Sequence, residues 1–186
     1  REQWDQDKKN KFIFGAEESY GYLIGDFVRD KDAVGACCLI SEVALQAKLQ
    51  GKTLHDLLLD IYKKYGVYRE KLVTISFQDG KAGNEKRKSV MESLRTSPLE
   101  SIAGEQVVYM EDYLKGESLE LVNSKTIPLE LPTSDVIRYW LKDHSKITVR
   151  PSGTEPKIKI YCEARVDKDI SSCDGITVCD QKIDLL

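Results

Sequence analysis

Residues 150–159, Arg-Pro-Ser-Gly-Thr-Glu-Pro-Lys-Ile-Lys, gather the kinds of donor that a phosphate needs. Ser152 and Thr154 carry hydroxyls, and the Arg150 guanidinium is a fork that can make a bidentate contact to phosphate oxygens. Gly153 gives access to backbone geometry closed to other residues, so successive N–H groups can converge on one anion. In an extended strand Lys157 and Lys159 share one face while Ile158 and Ile160 share the other, so at least one lysine is expected to reach such a ligand. A plain Ser-Gly hairpin turn beside solvated lysines fits the composition equally well, and Arg150 tips the reading toward an anion site.

A second stretch, Gly15-Ala16-Glu17-Glu18-Ser19-Tyr20-Gly21-Tyr22, follows a strand-like Lys-Phe-Ile-Phe run, a place where α/β folds tend to put ligands. In extended backbone Glu17 and Ser19 point the same way and Glu18 points oppositely. One carboxylate beside one hydroxyl suits a sugar's hydroxyl groups, whereas glycoside hydrolysis needs two carboxylates facing one bond. Alone, this cluster reads slightly better as a turn or a helix cap. Tyr20 and Tyr22 have faces that could stack on a sugar ring, yet two aromatics beside a glycine loop more often pack locally. His55 falls inside an amphipathic helix pattern and His144 in a charged turn, neither with a nucleophile or metal partner nearby in sequence.

These loops need elements to position them. The spacing predicts a short strand over 11–14 breaking at Gly15, then a glycine-punctuated loop to Asp32, a plausible N-cap. Residues 33–50 are apolar almost all round, which predicts a buried helix stopped by Gly51. Thr53 and Asp56 resemble a capping box ahead of a one-sided helix that runs to Gly66. Beyond a boundary placed near residues 65–70, strands are expected over 67–77, 106–110, 119–122, 146–150 and 157–164. Helices are expected over 84–95 and, capped by Ser134, over 134–141. That is an α+β pattern. Residues 167–186 are polar and weakly patterned and predict a loosely held tail.

The 186 residues, 41% hydrophobic and 32% charged, are enough for a real core. A net charge of −3 disfavours nucleic-acid and membrane-surface roles, which draw on a dominant basic face. No run approaches a membrane-spanning length and the charged start is not signal-like, so a cytoplasmic location is expected. Five cysteines in no paired CxxC spacing suggest free thiols. The chain starts at Arg1 and enters a strand-like run at once, as a piece of a longer protein does.

Taken together, the two loops resemble those of the α-D-phosphohexomutase family, of the phosphoglucomutase and phosphomannomutase kind, over roughly residues 11–165. The resemblance implies an α/β remnant of the family's third domain over 1–66, an α+β fourth domain with an antiparallel sheet packed by helices over 67–166, and a tail over 167–186. In the family a Gly-Glu-x-Ser loop contacts hexose hydroxyls, and Glu17 and Ser19 match its contact positions. An Arg-x-Ser-Gly-Thr loop binds the substrate's phosphate, matched here by Arg150, Ser152, Gly153 and Thr154, with Lys157 and Lys159 beside it. Arg29-Asp30-Lys31-Asp32 looks like the family's Arg-x-Lys-Asp stretch, which would turn Lys31 toward the cleft; a charged turn ahead of a helix explains it nearly as well.

What the resemblance further implies is a parent enzyme that interconverts hexose 1-phosphate and hexose 6-phosphate through a hexose 1,6-bisphosphate, with Mg²⁺. The Glu-Glu-Ser-Tyr-Gly form leans toward glucose. The family's Thr-Ala-Ser-His-Asn-Pro-like serine loop and Asp-Gly-Asp-x-Asp-like metal loop do not occur in these residues, so the chain is expected to bind substrate without catalysing turnover and to depend on the missing N-terminal domains as partner. The family's helix after Arg165 is also not visible in the apolar pattern. A different class of function, a non-catalytic sugar-phosphate-binding or partner-binding module, shares the same two loops. A sugar-phosphate isomerase using Glu17 as base lacks an identifiable partner acid.

Overall fold

The structure is a computed structural model that describes residues 12–17, 20–166 and 172–186. It divides between Asp60 and Ile61 into two compact units.

In the first unit β1 (Phe14–Ala16) and β2 (Tyr22–Ile24) form an antiparallel hairpin in which Ala16 faces Tyr22. The strand thus lies later than the sequence suggests and runs through Gly15, and the loop ahead of Asp32 contains a strand of its own. Tyr22 stacks on Phe14 with ring centroids 6.3 Å apart, the local packing expected of it. Asp32 caps α1 (Ala33–Leu49), its carboxylate accepting from the Val34 N–H at 3.1 Å. The expectation of a buried helix is corrected here: Ala47 is buried, but Val34 is 75% exposed and Leu49 is 72% exposed. Its apolar residues point all round, and the β1–β2 hairpin covers only part of that circumference.

Helix α2 (Leu54–Tyr65) opens with a reciprocal capping box. The Thr53 N–H and hydroxyl both donate to Asp56 Oδ2 at 2.7 Å, while the Asp56 N–H donates back to Thr53 Oγ1 at 3.2 Å.

The second unit is built on an antiparallel sheet. Its strands are β3 (Val67–Ser76), β4 (Ser101–Ile102), β5 (Glu105–Asp112), β6 (Glu117–Glu120), β7 (Lys125–Pro128), β8 (Ile137–Leu141), β9 (Lys146–Pro151) and β10 (Lys157–Val166), in spatial order β3-β10-β9-β8-β5-β6-β7 with β4 paired to β5. Strand β8 corrects the helix expected over 134–141. Ile137, Tyr139 and Leu141 are buried and alternate with half-exposed Arg138 and Trp140, so the period is two, and Tyr139 faces Ile147 across the ladder.

Two helices cover one face: α3 (Lys81–Thr96), through Met91, and α4 (Ser172–Leu185), through Cys179 and Ile183. They enclose a core with Val107, Ile137, Tyr139, Ile158 and Ala164. Burial pushes the Tyr139 hydroxyl up to about 12, and it donates to the Leu94 carbonyl at 3.1 Å. Helix α4 corrects the expectation of an unstructured tail. Ile176, Cys179 and Ile183 keep a helical spacing that counting Cys179 as apolar makes visible. Residues 167–171 lie outside the described part.

Candidate functional site

The β9–β10 hairpin carries residues 152–156 at its tip, anchored at both ends. Ser152 N–H donates to Lys157 O at 2.8 Å, and Phe77 N–H, at the end of β3, donates to Pro156 O at 2.8 Å. Within the turn Glu155 N–H donates to Ser152 Oγ at 3.3 Å. The next donors are unspent: among the described residues nothing accepts from the N–H groups of Gly153 and Thr154 or from the Thr154 hydroxyl. They border a depression of about 370 Å³ whose other wall is α3, through Asn84, Arg87 and Lys88.

Helix α3 comes this close because Gly83 has no side chain. A Cβ there would stand 1.8 Å from the Gln78 carbonyl oxygen, so any other residue pushes the helix start away from the chain leaving β3. Arg87, one turn further on, donates through Nη1 to the carbonyls of Ser152 and Glu155, the latter at 3.2 Å. Sequence reading missed Arg87, Asn84 and Lys88, which stand more than sixty residues from the loop they border.

Gly153 is corrected in its reason. It is not among the glycines with positive φ, and a Cβ at this position would meet nothing within 4 Å. Its backbone needs no special geometry; the room above it is what the missing side chain leaves.

The cations divide. Lys157 is committed to Glu155, with Nζ 2.9 Å from Oε1. Arg150 is exposed and faces Lys159 across the β9–β10 ladder, and neither carries an ion pair among the described residues. By strand alternation both lie on the sheet face away from Ile158, which is buried in the core under the helices. The loop therefore has Arg150 and Lys159 on one side and α3 on the other.

In the first unit the structure brings Glu17 and Lys31 together, Nζ to Oε1 at 3.5 Å. They lie over Gly21, where a Cβ would stand 2.3 Å from Lys31 Cδ and 3.0 Å from Glu17 Oε2. The Glu17 N–H closes the turn by donating to Gly21 O at 2.7 Å. Lys31 also pairs with Asp30 at 3.0 Å, and the Asp30 hydrogen bond and charge, followed by the charge of Glu17, raise the Lys31 ammonium above its ordinary value. Ser19 and Glu18 lie outside the described residues. Tyr20, with φ 62°, is 87% exposed.

His144 sits in the β8–β9 turn with φ 65°. Cys37 and Cys38 are exposed free thiols and Cys162 and Cys179 buried ones, burial raising the last two above the usual thiol value. Among the described residues there is no group of three or more His, Cys, Asp or Glu placed to hold a metal ion, and no helix is long and apolar enough to cross a membrane.

With the geometry in place, the sequence matches two families of domains: phosphoglucomutase/phosphomannomutase, alpha/beta/alpha domain III, over residues 4–65, and phosphoglucomutase/phosphomannomutase, C-terminal domain, over residues 84–174. Among curated proteins it is 44% identical over 155 residues to a phosphoglucomutase of Staphylococcus aureus (strain MSSA476), covering 83% of this chain and 28% of the relative. It is 40% identical over 161 residues to one of Staphylococcus haemolyticus, covering 87% and 29%. A Staphylococcus epidermidis phosphoglucomutase is 37% identical over 175 residues, covering 94% and 30%. The chain thus spans under a third of the length of these relatives.

Proposed function

Since this chain belongs to the phosphoglucomutase/phosphomannomutase family, we propose that it is the substrate-holding C-terminal part of a phosphohexomutase interconverting hexose 1-phosphate and hexose 6-phosphate, with glucose the favoured hexose. Glu17, Ser19 and Lys31 take the sugar hydroxyls. Arg150, Ser152, Gly153 and Thr154, supported by Lys159, take the phosphate that is not being transferred. Lys157 enters that set only by leaving Glu155. The phosphoserine and the Mg²⁺ belong to the rest of the parent, and the 1,6-bisphosphate is the intermediate; a cytoplasmic setting is part of the same reading. The division of labour follows the domains, 1–66 for sugar and 67–166 for phosphate.

The observation that carries the proposal is that, among the described residues, the N–H groups of Gly153 and Thr154 and the Thr154 hydroxyl have no acceptor and the cations Arg150 and Lys159 on the flanking strands have no ion pair. A phosphate oxygen accepts from all of these donors, and charge-assisted bonds of this kind are stronger than neutral ones. For a ligand that must present either end to the chemistry, holding the idle phosphate fixes orientation without favouring one carbon.

Titrating the ¹⁵N-labelled chain with inorganic phosphate, glucose 1-phosphate and glucose tests this. The Gly153 and Thr154 amides are expected to shift with the first two ligands and stay still with glucose. If they are unmoved by phosphate while the lysines around 81–88 respond, the loop is an ordinary turn and the reading is wrong.

A further inference from the structure

We propose that Arg87, on the third helix, is the positioning residue of the phosphate loop, a role that rests on the reading just given but is carried by a different contact. A loop that binds an anion through backbone N–H groups has a built-in difficulty, because its carbonyls repel the same anion and peptide units can rotate to present either end. Arg87 answers it with one nitrogen. Nη1 donates to the carbonyl oxygens of both Ser152 and Glu155, the residues that bracket Gly153 and Thr154. Drawing the Ser152 carbonyl toward α3 turns the N–H of the same trans peptide, that of Gly153, the opposite way, and among the described residues neither it nor the Thr154 N–H has an acceptor.

The clasp also neutralises what the loop would otherwise show an anion. A guanidinium against two carbonyl dipoles places positive charge behind the donors, and Arg87 is half-buried there while its neighbour Lys88 is exposed in the same depression. Two features hold the clasp in place: Gly83 lets α3 approach, and the Phe77–Pro156 hydrogen bond ties the far side of the turn to β3. A lysine at position 87 keeps the charge, but its ammonium rotates freely on a flexible stem where the plane of the guanidinium fixes the directions of the Nη1 hydrogens, so charge and geometry are separable by substitution.

The experiment uses the whole 186-residue chain and the variants R87K, R87Q and K88Q, with inorganic phosphate as probe, reading the amides of residues 152–155 before and during titration. Without phosphate, R87K and R87Q are expected to move and broaden those amides while the amide of core residue Tyr139 stays put, and K88Q to leave them alone. With phosphate, R87Q is expected to bind about tenfold more weakly, R87K to recover little of that loss, and K88Q to lose far less. Phosphate binding and loop amides in R87K indistinguishable from the unaltered chain would reduce Arg87 to a point charge and overturn the proposal. So would a K88Q loss as large as that of R87Q. Failure of the unaltered chain to respond to phosphate sinks the functional reading instead, and the phosphate-free comparison still decides whether Arg87 sets the loop.

Discussion

An N–H group that already has an acceptor costs a ligand that bond's replacement, so the residues best suited to hold an anion are those the fold leaves unpaired. Gly153 and Thr154 meet this condition, while Lys157, bound to Glu155, does not. The glycine is informative because its backbone lacks the positive φ that would demand it and its missing Cβ faces open space. Gly153→Ala is therefore expected to leave unfolding stability unchanged or raised by up to about 1 kcal/mol, through loss of unfolded-state freedom. The same methyl stands where a ligand oxygen must come close, so phosphate binding is expected to fall. Chemical denaturation paired with a phosphate titration reads both; a destabilised Gly153→Ala means that the backbone, not the ligand, requires the glycine. The loop was legible in the sequence because its hydroxyls, glycine and arginine lie within a few residues of one another. Arg87 was not, since it stands on a helix whose pattern says only which face is apolar, and nothing in the sequence marks a side chain aimed at two distant carbonyls.

Some elements announced themselves in the sequence and others did not. The capping box at Thr53 and Asp56 announces α2, and the alternation from Lys157 onward announces β10. Five residues of β8 cannot display a period convincingly, and Ser134 ahead of them imitates an N-cap, so a strand at the centre of the sheet looked helical. Helix α4 was hidden for another reason, as several of its residues are charged and meet their ion partners only in the fold. Arg69 holds Asp180 at 2.5 Å, Lys71 holds Asp184 at 3.0 Å, and Lys182 pairs with Asp143. These residues look like solvated tail charges until the fold brings partners to them. Titration of Asp180 and Asp143 gives the helix a pH limit. The hydrogen bond from Arg69 lowers the Asp180 carboxyl below its ordinary value; for Asp143 burial works the other way, but the bonds from Lys182 and from the Ser145 N–H outweigh it and the net shift is also downward. A carboxyl lowered in the folded state adds stability that is complete above its unfolded value of about 3.9 and is lost as pH falls through the folded value. Hydrogen exchange of the 174–185 amides is thus expected to be slow at pH 6 and, after correction for intrinsic rates, markedly less protected near pH 3, ahead of the β8 and β9 amides. Equal protection at both values would show that Cys179 and Ile183 hold the helix unaided.

At the scale of the whole molecule the two units differ in how complete they are. The second encloses a continuous core under α3 and α4, whereas in the first Val34, Ile40, Leu45 and Leu49 of α1 all remain more than half exposed. Full burial of each such side chain is worth about 1.5 to 3 kcal/mol, so covering this helix would contribute several kcal/mol that the described residues do not supply. The match to an alpha/beta/alpha domain over residues 4–65, in a chain that spans under a third of its relatives, agrees with further layers lying elsewhere in a parent protein. Chemistry is divided in the same way as packing. On the reading proposed above, the loops here offer hydrogen-bond donors, carboxylates and cations, while the phosphoryl carrier and the acidic metal loop belong to the rest of the parent; Thr-Ala-Ser-His-Asn-Pro-like and Asp-Gly-Asp-x-Asp-like strings do not occur in the 186 residues. Binding without a carrier lowers no barrier, because holding a substrate that has nothing to react with leaves the phosphoryl group on its original oxygen. The chain alone is therefore expected to give no conversion of glucose 1-phosphate to glucose 6-phosphate above background in a coupled assay supplied with Mg²⁺ and glucose 1,6-bisphosphate, even at concentrations where phosphate visibly shifts Gly153 and Thr154. Host mutase contamination is the obvious confounder, so the chain is repurified and assayed beside R150A prepared identically. Turnover that survives repurification and falls with R150A would place a phosphoryl carrier within these residues and overturn the division of labour proposed for them.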